Sequence, residues 1–119
     1  MRFLLIDSKD LLSEIMKVLG NHYFKGQSGK TMTKEVDVYF NSYFQDVAEL
    51  AGVIKEMWSL GHVTPLIAKK AALMLNRSLE TVILASVGQG LVAADKAKAL
   101  VGAMMDETLQ LLLQFILGI

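Results

Sequence analysis

Residues 33–60 read TKEVDVYFNSYFQDVAELAGVIKEMWSL, and their periodicity decides the fold class. On a helical wheel of about 100° per residue, Val36, Phe40, Tyr43, Val47, Leu50, Ile54 and Trp58 fall within about 40° of one line. Tyr39 and Met57 flank that line on one side, and Ala51 and Phe44 on the other. Glu35, Asp37, Asn41, Gln45, Asp46, Glu49, Lys55 and Glu56 lie outside the stripe. Thr33 is a good N-cap and Gly61 a good stop, so the spacing predicts one long helix over 33–60. Gly52 lands on the polar side, where it costs about 1 kcal/mol relative to alanine; it is tolerated there or marks a bend. Val38 and Val53 also fall outside the stripe. A straight helix of this length spans roughly 40 Å, long for a compact chain of this size, so it bends at Gly52 or needs a partner along its flank.

Outward from this helix the same reasoning gives more helices. Asp7 or Ser8 can cap a helix with apolar positions at Leu11, Leu12, Ile15, Met16 and Leu19, stopped by Gly20. Residues 20–32 then read as a loop. Thr64-Pro65 reads as a cap followed by a first helical residue, opening a helix over 66–75 that ends near Asn76. Ser78 caps a further short helix over 79–87, closed by Gly88-Gln89-Gly90. A last helix starts near Leu91. Its stripe of Ala97, Leu100, Val101, Met104, Met105, Thr108, Leu111, Leu112, Phe115 and Ile116 keeps phase to 116, opposite Asp95, Lys96, Asp106, Glu107, Gln110 and Gln114. That phase argues against a strand in LQLLLQFIL. Arg2–Ile6 is a short apolar run, read as an extended arm. A mixed α/β alternative makes strands of Arg2–Ile6 and Val82–Val87.

The chain has 119 residues, 53% of them hydrophobic and 20% charged, which suits one folded domain over 1–119 and excludes a disordered chain. Twelve basic and twelve acidic residues cancel, so no global field draws nucleic acid. Cysteine is absent, which removes disulfides and thiolate metal sites and suits a reducing compartment. No secretory signal is evident at the start, and Asp106, Glu107, Gln110 and Gln114 interrupt the longest apolar run, so the expectation is a cytoplasmic protein without a membrane span.

Most chemical motifs fail on context. Gly29-Lys30-Thr31 echoes a phosphate loop, but Phe24 stands where the leading glycine belongs. Gly88, Gly90 and Ala93 match a dinucleotide fingerprint, but too little chain follows for the rest of a doubly wound sheet; a helix–helix turn is the expectation. His22 and His62 have no carboxylate at ligand spacing. No nucleophile–base arrangement emerges. The expectation is therefore no enzyme, no cofactor and no metal site. Met16, Met57, Met74, Met104 and Met105 follow the apolar stripes, as core residues or as an adaptable groove.

Asp46-Val47-Ala48-Glu49-Leu50-Ala51-Gly52-Val53 resembles the first helix and turn of bacterial helix-turn-helix repressors. The resemblance covers eight residues and departs at Ile54, where a serine cap is usual. It implies a small DNA-binding regulator. Lys69, Lys70 and Arg77 would then be its phosphate contacts.

These readings converge on an all-α fold: a compact bundle of four or five helices with a short extended N-terminal segment and its two long helices packed together. The function expected is non-enzymatic association, as a homo-oligomer or a subunit bound to a protein partner, with the DNA-binding regulator as the alternative. The last helix is apolar over about 180°, wider than a single core contact requires. The expected interface therefore centres on Leu109, Leu113, Phe115, Ile116 and Leu117.

Overall fold

The computed structural model describes residues 7–24 and 32–118. They form four helices: α1 (Ser8–Tyr23), α2 (Lys34–Ser59), α3 (Pro65–Gly88) and α4 (Ala94–Leu117), with no strand among the described residues. Each helix packs on its neighbours in sequence, and α4 returns to α1. α2 and α4 also touch across the bundle, whereas α1 and α3 occupy opposite corners. The largest dimension is 43 Å. This resolves the length of α2: its partners α3 and α4 are nearly as long, so nothing protrudes.

The starts of α1, α2 and α3 are those the caps dictate, whereas α4 begins after Ala93 without a side-chain cap. The Asp7 side chain accepts from the Asp10 backbone N–H while the Asp10 carboxylate accepts from that of Asp7, a reciprocal capping box. Thr33 and Thr64 cap α2 and α3 through their hydroxyl oxygens, and Pro65 opens α3. At the far ends, α2 and α3 close alike. His62 N–H donates to the Met57 carbonyl and Gly61 N–H to that of Trp58; Leu91 donates to Ser86 and Gly90 to Val87. This motif needs a left-handed residue after the cap, and Gly61 and Gly90 supply it with φ of +74° and +70°. Gly90 therefore serves a helix–helix turn, as the sequence suggests.

Three expectations need correction, the first being the start of the last helix, which is Ala94 and not near Leu91, because Leu91 closes α3 through its hydrogen bond to Ser86. α1 runs through Gly20 to Tyr23, because a single glycine lowers helix stability without ending a helix whose next turn packs. The two short helices expected over 66–75 and 79–87 are one continuous α3. Asn76 and Ser78 do not break it because both are satisfied in place: Asn76 reaches α4, and the Ser78 hydroxyl donates back to the Met74 carbonyl. That also removes the strand alternative at Val82–Val87. Arg2–Ile6 and Gly29-Lys30-Thr31 lie outside the described residues.

The core is built from Leu11, Ile15 and Leu19 of α1, Phe40 and Phe44 of α2, Leu79 and Ile83 of α3, and Met104, Leu112, Phe115 and Ile116 of α4. Two polar devices fix how α3 sits against its neighbours. Thr108 Oγ1, fully buried, donates to Asn76 Oδ1 at 2.5 Å, and Asn76 Nδ2 donates to the Met105 carbonyl at 3.0 Å. The short link over 60–64 turns α3 back antiparallel to α2, and Tyr39 Oη donates to the Val82 carbonyl at 2.7 Å, which ties the two helices at that height. By length and composition alone α4 could cross a membrane, a test that the core helix of a bundle also passes. Here the side of it that carries Leu100, Met104 and Leu112 is inside the bundle.

Burial holds the Tyr39 phenol above its ordinary 10.0, and the neighbouring Tyr43 adds to the effect. A raised folded value means the folded state keeps this proton longer than the unfolded chain does. The resulting stability is complete below the unfolded value of about 10 and is lost as pH rises through the folded one. Urea midpoints on either side of pH 10 are therefore expected to fall more steeply for the native chain than for Tyr39→Phe. The variant loses about 0.5–1.5 kcal/mol at neutral pH with its hydrogen bond. Parallel alkaline profiles would show that Tyr39 is not the group responsible.

Candidate protein–protein interface

The buried stripe of α2 is not the stripe its sequence suggests. The buried residues are Val36, Phe40, Phe44, Val47, Ala48 and Ala51. The line is turned towards α1, whose Ser8 Cβ lies 3.7 Å from where a Cβ on Gly52 would sit. Ala48 and Ala51 are small enough to let neighbouring helices approach, and the turn leaves large side chains outside. Tyr43 is 51% exposed and Leu50 57%. Val53 is also more than half exposed.

α3 completes this face. Tyr39 and Val82 are level across the two helices, and the antiparallel register carries that alignment down to Leu50 beside Ala71 and Val53 beside Ala68. By helical phase, Ile67 and Met74 then point to the same side as Leu50 and Val53. Met74 is 67% exposed, and Ile67 is exposed to half its area. The Tyr39 and Tyr43 rings meet at a tilt of 54° with centroids 4.9 Å apart at one end of the strip. Isolated exposed apolar residues are ordinary, whereas a contiguous set at the seam of two helices is the signature of a contact surface.

The residues proposed from sequence divide. Phe115 and Ile116 are buried, each about 1% exposed, and cannot meet a partner while α4 stays packed. Their place in that interface is corrected: they are core. Leu109, Leu113 and Leu117 are half-buried against the core. The Asn76–Thr108 hydrogen bond sets Leu73 near the level of Leu109, and phase places Leu66 and Leu73 on the same flank as Leu109 and Leu113. This is a second, shorter apolar strip on the other side of α3. Sequence reasoning placed Tyr43 and Leu50 in the buried stripe, gave Met74 as core or adaptable groove and did not single out Ile67; the available signal was the excess of apolar area over what one stripe can bury.

Lys69, Lys70 and Arg77 are exposed on α3. Lys69 lies about 100° around the helix from Lys70, so the three do not form one row. Gly52, the turn residue of the helix-turn-helix resemblance, lies inside unbroken α2, so the turn that resemblance implies is absent. His22 Nε2 and Glu107 Oε1 are 2.7 Å apart between α1 and α4, and His62 is exposed on the link between α2 and α3. Among the described residues, no group of three or more His, Asp or Glu could hold a metal ion. A concavity of about 870 Å³ runs along α1 and the start of α2, lined by Leu12, Met16, Phe24 and Met32 with Lys9, Lys17 and Lys34.

No family model, curated protein or solved structure matches the chain.

Proposed function

We propose that this chain works by association rather than catalysis, as a helical assembly protein that binds its own kind. One observation supports the reading: the buried line of α2 is turned away from its apolar stripe, leaving Tyr43, Leu50 and Val53 exposed next to Ile67 and Met74 of α3. Burying this surface removes apolar area from water at roughly 25 cal/mol per Å². The balanced net charge adds little repulsion between copies.

Light scattering behind size-exclusion chromatography tests it. The expected mass is a multiple of the 13.1 kDa chain. Leu50→Glu with Met74→Glu is expected to return it to a single chain, because each glutamate places a charge within an apolar contact. Both sites are exposed, so circular dichroism of the variant should stay helical. A single-chain mass for the native protein at high concentration would sink self-association.

A further inference from the structure

The α2–α3 face carries a charge pattern that selects both its occupant and its orientation. Resting on the association reading above, we propose that a second copy of the chain docks there about a two-fold axis parallel to the helices, with α2 of each copy lying antiparallel over α3 of the other. A two-fold contact requires a surface complementary to itself. On the side that carries Leu50 and Val53, α2 presents Glu35, Asp46 and Glu49 by helical phase, all acidic, whereas Lys34 and Asp37 line the concavity beside α1. Beside Ile67 and Met74, α3 presents Lys70 and Arg77, whereas Lys69 and Glu80 lie by helical phase on the flank towards α4. An axis along the helices sets the acidic helix on the basic one twice over. An axis across them lays α2 on α2 and α3 on α3, like charge on like.

The register follows from the level pair Tyr39 and Val82. A rotation about an axis along the helices preserves height. Val53 of one copy therefore meets Ile67 of the other, and Asp46 falls over Met74, one turn from Lys70 on one side and Arg77 on the other. Tyr43 and Leu50 lie nearest the axis and meet their own counterparts. Tyr43, Leu50, Val53, Ile67 and Met74, each half exposed or more, offer on the order of 500 Å² of surface, at the upper end of what a monomer shows. Adding the charged margin approaches the ~800 Å² per partner of a stable interface.

The absence of cysteine from the whole chain makes the test clean. Val53→Cys and Ile67→Cys are prepared separately as full-length proteins, shown to be helical, then mixed and oxidised. A disulfide needs the two Cα atoms within about 7 Å. The expected result is a disulfide-linked dimer in the mixture and none from either variant alone. A Val53→Cys dimer with itself would place α2 on α2 and overturn the orientation. No bridge in any combination, with light scattering still reporting a dimer, would overturn this face while leaving association standing. A single-chain mass throughout would overturn both. Charge reversal checks the orientation independently. Asp46→Arg should weaken the dimer and the addition of Lys70→Asp and Arg77→Asp should restore it; failure to restore would overturn the placement of α2 over α3.

Discussion

Phe44→Ala is expected to cost about 3–5 kcal/mol of folding stability, and the same change at the adjacent Tyr43 only about 0.5–1.5 kcal/mol. The contrast comes from where the two rings lie. Phe44 is fully buried, with its ring 5.3 Å from that of Phe40, so truncation removes apolar contacts and leaves a cavity in the middle of the bundle. Tyr43 is half exposed, with its ring 4.9 Å from that of Tyr39. Against a typical total of 5–15 kcal/mol, the first change consumes a large share and the second does not. Urea unfolding at low protein concentration reads the monomer's stability, and light scattering at high concentration reads association. Phe44→Ala should move the first at every concentration; Tyr43→Ala should mainly lower the second. If Tyr43→Ala proved the more damaging to the monomer, the buried line of α2 would be centred where the sequence stripe puts it, and the exposed face would not exist.

The second large effect concerns the clasp between α3 and α4. Thr108→Val keeps the shape of the side chain but removes the hydroxyl that donates to Asn76 Oδ1. The site is closed to water, with Thr108 fully buried and Asn76 only 9% exposed. An acceptor left unpaired there costs about 1–3 kcal/mol. Asn76→Leu combined with Thr108→Val removes both partners, and the loss should shrink towards zero, because no unpaired side-chain group remains. A double-mutant cycle by urea unfolding measures this, with a coupling energy of at least about 0.5 kcal/mol expected for groups in direct contact. Simple additivity of the two losses would mean that the pair is not a working hydrogen bond. The double variant should still fold but hold α3 less strictly in register, and both apolar flanks of α3 depend on that register.

The all-helical architecture was legible because its signals are local. Asp7, Thr33 and Thr64-Pro65 place three helix starts, and Gly61 marks the end of α2. The stripe of α4 was legible as well, and Ala97, Leu100, Met104, Thr108, Leu112, Phe115 and Ile116 are its buried side. What stayed hidden depends on neighbours. Ala48 and Ala51 weigh little on a hydrophobic wheel, yet they lie on the side of α2 that neighbouring helices approach. Asn76 looks like a helix end until Met105 and Thr108 are present to satisfy it. Phe115 and Ile116 look like surplus until α4 is seen touching α1, α2 and α3. The surplus of apolar surface was legible but not its address: Phe115 and Ile116, two of the five residues expected at the end of α4, are core, and an exposed strip lies along α2 and α3.

The packing order, in which each helix rests on the next and only α1 with α4 closes the ring, has a kinetic consequence. Helical bundles dominated by such short-range closures reach the folded state in microseconds to milliseconds. The docking of two copies proposed above would be bimolecular, with rate constants of about 10⁵–10⁷ M⁻¹s⁻¹, so at micromolar concentration it would take roughly a tenth of a second or longer. The two processes separate in time. After a jump out of denaturant, helix signal should return in a phase indifferent to dilution, and a slower phase that lengthens on dilution should report the meeting of finished monomers. During that interval the exposed strip on α2 and α3 is briefly bare in every molecule, which makes dilution at the moment of refolding the simplest way to keep wrong pairings rare.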